Sequence, residues 1–251
     1  MTKTLEHRVK SVQWTLLALT LLVWPCGCTP IGSSPQDPMP QFAAGTRILF
    51  QGDSITDGNR GRNSDPNHIL GHGYQFIIAA KYGGELAERQ LTFLNRGISG
   101  NQVSDLARRW QQDTVDLQPD VLSILIGVND LNSGVSAADY ERQYDQLLAA
   151  TTNALPGVKL VLCEPFGLPV GQYQSDWERH RANFTERQAI VARLGGKYHA
   201  PVVHFQKAFD DAVRRAPADY WIWDGVHPTY SGHQLMADEW VRTVKATWPS
   251  P

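Results

Sequence analysis

Gly52-Asp53-Ser54-Ile55-Thr56 follows the apolar run Ile48-Leu49-Phe50 after a single intervening residue, Gln51. A serine hydroxyl becomes a nucleophile only when a base removes its proton, and that base needs a third group to orient it. Ser54 is the serine best placed for this, because a strand end would fix its backbone while the turn leaves its side chain accessible. Asp224-Gly225-Val226-His227-Pro228 supplies the other two groups, a carboxylate three residues before an imidazole in a loop that Gly225 allows to bend. At that spacing the carboxylate can hold the Nδ1 proton and leave Nε2 free to face a serine. The same pair would equally serve as a plain cap on the final helix, and by itself it does not choose.

Acyl transfer also needs donors where negative charge develops on a carbonyl oxygen. The N–H of Ser54 is one candidate. Gly100, in NRGISGNQ, offers a backbone N–H that no side chain obstructs, and Asn129, in IGVNDLN, offers a carboxamide. Taken singly, Gly100 reads as a helix-entry turn and Asn129 as an Asx turn. Other histidines have plainer readings: His180 and His199 solvated beside a charged helix, His204 packed or hydrogen-bonded in a strand, and His233 a surface or packing residue of the last helix. His68 and His72 share a Gly-rich loop with Asp65, but no third ligand follows at metal-binding spacing, so no metal site is expected. G-x-S-x-G, Walker, H-E-x-x-H and paired C-x-x-C motifs are absent from the sequence.

The elements that must position these residues are legible as alternation. Short apolar runs at 47–51, 91–95, 121–126, 159–163 and 201–205 suit strands covered on both faces, as in a parallel sheet. Helical spacing occupies 74–88, 103–116, 137–154, 176–194, 206–215 and 229–247. The pattern predicts one α/β/α sandwich on a mainly parallel five-stranded sheet with right-handed crossovers. Ligands of such sheets bind beyond the carboxyl ends of the strands. The post-strand loops GDSITDG, RGISGNQ, GVNDLN and EPFGLPVG are all polar or Gly-rich, and WDGVHP follows one helix after the last strand. The net charge of −2 offers no basic field for a nucleic acid. Cys163, inside KLVLCEPF, reads as a small buried hydrophobe.

The chain start reads as a leader. Lys3, Arg8 and Lys10 precede the apolar WTLLALTLLVW, which is shorter than the roughly 20 residues of a membrane span, so residues 1–27 are expected to be an export signal. Cys28 after Gly27 resembles the lipidated residue of a bacterial lipoprotein signal, although Pro25 departs from the usual pattern. Residues 28–45, rich in Pro and Ser, are expected to be a tether without packing of its own, and 46–251 to be the folded domain. The expected location is periplasmic, cell-surface or secreted, with Cys28 the site of any membrane anchor.

GDSIT, GISGN, GVND and DGVHP, in this order, resemble the SGNH (GDSL-type) hydrolase family over about residues 46–247. The resemblance implies a flavodoxin-like three-layer sandwich, Ser54 as nucleophile, Asp224 and His227 completing a triad, and the Ser54 N–H, Gly100 and Asn129 as an oxyanion hole. It implies no metal or organic cofactor. TFLNRGISGNQVSDLARRW and WDGVHPTYSGH are similar to the carbohydrate acetylesterase branch, particularly bacterial acetylxylan esterases, which implies removal of O-acetyl groups from xylan or related glycans. Some members of that branch assemble into rings, so the resemblance allows a homo-oligomer without requiring one; the relatives are often cytoplasmic, unlike a chain with an export leader. Trp221 and Trp223 are candidates to stack on sugar rings or to be buried, and Asp53 and Arg60 to touch substrate or to scaffold the loop. A lysophospholipase or thioesterase of the same family, and a non-catalytic glycan-binding lipoprotein, remain the alternatives.

Overall fold

The computed structural model describes residues 37, 39–63 and 65–248. The expected signal, Cys28 and most of the expected tether lie outside the described residues. Five strands, β1 (Arg47–Gly52), β2 (Thr92–Asn95), β3 (Val121–Leu125), β4 (Lys159–Cys163) and β5 (Val202–Val203), form one sheet in the order β2-β1-β3-β4-β5. Every pairing is parallel, with Phe50 beside both Asn95 and Ser123. Strand order reverses between β1 and β3, the place where doubly wound sheets open a crevice at their carboxyl ends.

Successive strand residues feed opposite cores, which is why the strand sequences are continuously apolar rather than alternating. Ile48, Phe50, Val121, Val161 and Val203 point to one side. There they meet α2 (Tyr74–Glu85), α7 (Phe205–Ala212) and α9 (Tyr230–Thr247). Leu49, Leu122, Ile124, Leu160 and Leu162 point to the other side. There they meet α3 (Val103–Asp113), α5 (Ala137–Ala154) and α6 (Trp177–Lys197). Each helix carries an apolar stripe at 3.6-residue spacing, such as Tyr140, Tyr144, Leu147, Leu148 and Thr151 on α5. Among the described residues three more α-helices are single turns: α1 (Ser54–Asp57), α4 (Val128–Asn132) and α8 (Ala218–Trp221).

Gln51, Asn95 and Ser123 are polar strand residues buried in the fold. Ser123 Oγ accepts from Trp240 Nε1 at 2.9 Å and contacts Cys163 Sγ at 3.6 Å, so its hydroxyl is satisfied. Burial pushes the Cys163 thiol up to about 12, the behaviour of the inert small hydrophobe its sequence context suggests.

The expected tether is too long at its C-terminal end. Met39 and Phe42 are fully buried. Phe42 lies against Trp240 with ring centroids 6.4 Å apart. Arg89 clamps the segment by donating to the carbonyls of Met39 and Phe42 at 2.9 and 2.8 Å. Two apolar side chains flanked by Pro and Gln were enough to pack, because they join the core cluster that holds Phe50 and Trp240.

Candidate active site

The nucleophile candidate is placed by a strand that becomes a helix within two residues. Gly52 ends β1 so close to β3 that a Cβ there would lie 2.2 Å from the Leu125 carbonyl oxygen. Asp53 then caps α1, its Oδ1 accepting the Ile55 N–H at 3.1 Å. Ser54 is the first helical residue and Gly58, at φ 51°, closes the turn onto its carbonyl. Among the described residues no hydrogen bond engages the Ser54 N–H, an orphan donor of a helix start.

Ser54 Oγ lies 2.8 Å from His227 Nε2, across 173 residues of chain. His227 Nδ1 lies 2.7 Å from Asp224 Oδ2, which assigns the Nδ1–H tautomer from the hydrogen-bond network. Asp224 Oδ1 accepts the N–H groups of Val226 and His227 at 2.9 and 2.7 Å. Burial acts to raise the Asp224 carboxyl, but the His227 backbone N–H, the His227 ring and the Val226 N–H outweigh it and hold it below the usual carboxylate value. The carboxylate is therefore ionised and aimed at the imidazole.

Gly225 is required here: its φ is 99° and a Cβ would meet the Val170 carbonyl oxygen at 2.6 Å. The loop after β4 braces this turn, with Gln172 N–H donating to the Asp224 carbonyl at 3.0 Å and Leu168 N–H to the Gly225 carbonyl at 3.2 Å. That bracing role of 168–172 has no signature in the sequence.

The loop 97–101 lies flat on α1. A Cβ on Gly97 would come 2.5 Å from the Asp57 nitrogen, and Ile98 N–H donates to the Gly52 carbonyl at 3.1 Å. Asp57 holds it by accepting from the N–H and hydroxyl of Ser99 at 2.9 and 3.0 Å, while Arg62 donates to the same carboxylate. Gly100, at φ 83°, has its N–H unengaged among the described residues. Asn129, in α4, donates one Nδ2 proton to the Asn101 carbonyl at 3.1 Å, which ties its side chain to this loop and leaves the second proton to spare. Buried Asp130 joins α4 to α3 by accepting the Val103 N–H at 3.2 Å.

Ser54, His72, Ser99, Trp223, His227 and His233 line one cleft of about 290 Å³. Trp221 is buried, its Nε1 donating to the Ala216 carbonyl, so it offers no ring to a ligand; Trp223 is 65% exposed and its ring stacks 6.5 Å from that of His227. Asp53 and Arg60 are scaffold by contact: Asp53 caps α1, and Arg60 Nε donates to the Gly97 carbonyl at 2.9 Å. His180 is half-buried against the Tyr173 ring, 4.5 Å between centroids, and not solvated as expected. His204 sits beside Glu164, with Nδ1 2.9 Å from Oε2, and His199 is exposed. His233 is buried rather than superficial, and it borders the same cleft as Ser54.

A hydroxyl, an imidazole and an ionised carboxylate in series can move a proton off the serine. The profile of the GDSL-like lipase/acylhydrolase family matches residues 50–235. The acetylxylan esterase of Geobacillus stearothermophilus is 29% identical over 220 residues, covering 83% of this chain and 98% of that protein. Its solved structure superposes with a TM-score of 0.71 at 29% identity, over 81% of this chain and 95% of the other. A Parabacteroides merdae protein assigned as a GDSL-like lipase superposes with a TM-score of 0.77 at 41% identity, over 81% of this chain and 97% of that one.

Proposed function

Because the chain belongs to the GDSL-like lipase/acylhydrolase family and is a carboxylic ester hydrolase, we propose that it removes O-acetyl groups from carbohydrate through an acetyl-serine intermediate. The observation that carries the mechanism is the unbroken series from Ser54 Oγ to His227 to Asp224, with separations of 2.8 and 2.7 Å. Ser54 Oγ attacks the acetyl carbonyl carbon as His227 Nε2 takes its proton, and Asp224 stabilises the imidazolium. The oxyanion is held by the N–H groups of Ser54 and Gly100 and the Asn129 carboxamide. His227 then returns the proton to the sugar oxygen, which leaves. A water activated by His227 attacks the acetyl-serine and frees acetate.

The carbohydrate reading is supported by similarity to the Geobacillus acetylxylan esterase over nearly that protein's whole length. If the leader-like residues 1–27 act as an export signal, the substrate is met outside the cytoplasm, and Cys28 is where a lipid anchor would attach.

The likeness to a protein assigned as a lipase favours a second reading, a longer acyl chain on a lipid. Acetate release from acetylated xylan, run beside p-nitrophenyl acetate, butyrate and octanoate, separates the two. The proposal expects acetate release and a steep loss beyond acetyl. Strong octanoate cleavage with no acetate from xylan would sink the carbohydrate reading.

A further inference from the structure

His233 stands in the cleft without a part in the proton series. Resting on the carbohydrate reading above, we propose that His233 is a substrate-binding residue whose Nε2–H donates to an oxygen of the sugar next to the acetylated position. Its ring is fixed from behind. Nδ1 accepts the backbone N–H of Tyr74 at 3.2 Å, the first N–H of α2, where Gly73 provides no side-chain cap. An acceptor Nδ1 on a neutral ring leaves the proton on Nε2. Among the described residues no hydrogen bond engages Nε2, although the residue is only 6% exposed and that exposure opens on the cleft.

The ring is also held neutral. Burial, followed by the positive charge that His72 and His227 would carry, lowers its pKa to about 4. With Nδ1 spent and Nε2 protonated, His233 has no lone pair to act as a base and no charge to select an anion. It is a donor for a neutral oxygen.

The side of the cleft identifies which oxygen. The leaving alcohol must lie within reach of His227, the group that protonates it, whereas the acetyl oxygen turns toward Gly100 and Asn129. His233, six residues after His227, lines the same cleft as Ser54, His72, Trp223, His227 and Pro228, a lining that includes neither Gly100 nor Asn129. Its backbone is seated in α9, the His233 N–H donating to the Thr229 carbonyl at 2.8 Å, and that turn packs closely: a Cβ on neighbouring Gly232 would lie 2.2 Å from the Trp221 carbonyl oxygen. A donor there meets the alcohol portion of the ester, and a hydroxyl or ring oxygen is what a sugar presents.

Two variants separate binding from capping. H233N keeps an acceptor near Nδ1 for the Tyr74 N–H and removes the donor; H233Q keeps a donor near Nε2 and removes the acceptor. The measurement is kcat and KM on acetylated xylobiose and on ethyl acetate, whose alcohol has no further oxygen, with thermal midpoints alongside. The expected result is a KM for acetylated xylobiose raised about tenfold in H233N, with ethyl acetate and the thermal midpoint nearly unchanged, and a smaller rise in H233Q. An unchanged xylobiose KM in H233N overturns the inference while leaving the carbohydrate reading intact. Loss in both variants on both substrates, in step with a lowered midpoint, also overturns it, because His233 would then be only a cap. If the wild type hydrolyses ethyl acetate but releases nothing from acetylated xylobiose, the carbohydrate reading falls and this inference with it.

Discussion

At the scale of single residues, the site separates groups that react from groups that aim them. Ser54→Ala removes only a hydroxyl at the start of α1, and the Asp53 cap and Gly58 closure of that helix are untouched. Turnover is expected to vanish on every ester while the thermal midpoint stays within a few degrees; full activity in the purified variant would remove Ser54 from the mechanism. Asp224→Asn keeps the shape but places an amide against a ring nitrogen that must donate. A fall in kcat of about ten-thousandfold is expected from the wrong tautomer, with steady-state kinetics on p-nitrophenyl acetate as the check. Asn129 contributes a single neutral donor, so Asn129→Ala is expected to lower kcat by roughly 10² to 10³. If kcat is instead unchanged and only KM moves, Asn129 belongs to binding.

At the scale of elements, the site is an assembly of strand ends with an interposed brace. The loop after β4 carries none of the proposed catalytic residues, yet its Gln172 and Leu168 N–H groups hold the carbonyls of Asp224 and Gly225. Gly171, at φ 53°, lies where a Cβ would come 2.3 Å from the Asp224 carbonyl oxygen. Gly171→Ala is therefore expected to displace Asp224 and lower kcat although no reacting group is changed, at a stability cost of roughly 1–3 kcal/mol. Wild-type kinetics in that variant would show the brace to be dispensable. The major elements were readable in advance because each is long enough to show a period: α5 was expected at 137–154 and spans Ala137–Ala154. The three single-turn helices were not, since four or five residues cannot display a 3.6-residue repeat. Two of them, α1 and α4, carry Ser54 and Asn129, so the least periodic segments are the ones that hold candidate site groups.

At the scale of the whole molecule, stability and the site share buried charge. Asp53 is 1% exposed, its Oδ2 has no partner among the described residues, and burial pushes its pKa up to about 7. A carboxyl raised from its ordinary 3.8 binds a proton in the fold that the unfolded chain has already lost, so this residue makes the fold less stable as pH rises from about 4 to about 7. His233, lowered to about 4, acts oppositely: the unfolded chain takes up its proton first, and stability falls as pH drops from about 6.5 toward 4. Asp53→Asn can keep the acceptor for Ile55 N–H while abolishing the titration. Its stability relative to wild type is expected to be near zero at pH 4 and to grow by up to about 4 kcal/mol at pH 8, measured by denaturant unfolding across that range. A difference independent of pH would mean Asp53 does not titrate there.

The sequence alone determined the sheet, because a strand buried on both faces must be apolar at consecutive positions. It also pointed to the candidate triad, because Asp224 and His227 share one loop and the ordered blocks GDSIT, GISGN, GVND and DGVHP resemble a family in which that pair serves a serine at the position of Ser54. Asp224 and His227 are three residues apart and pair locally, as that spacing allows. What depended on tertiary structure were relations between distant segments. The 2.8 Å approach of His227 to Ser54 is made by packing α9 against the sheet beside α2. The burial of Met39 and Phe42 depends on a core cluster around Trp240 that only the folded chain assembles. His233 was read as a surface or packing residue because nothing local announces that the first N–H of α2, 159 residues away, needs an acceptor. A hydrogen bond between remote segments leaves no period and no spacing in the chain, and so it is decided only when the layers close.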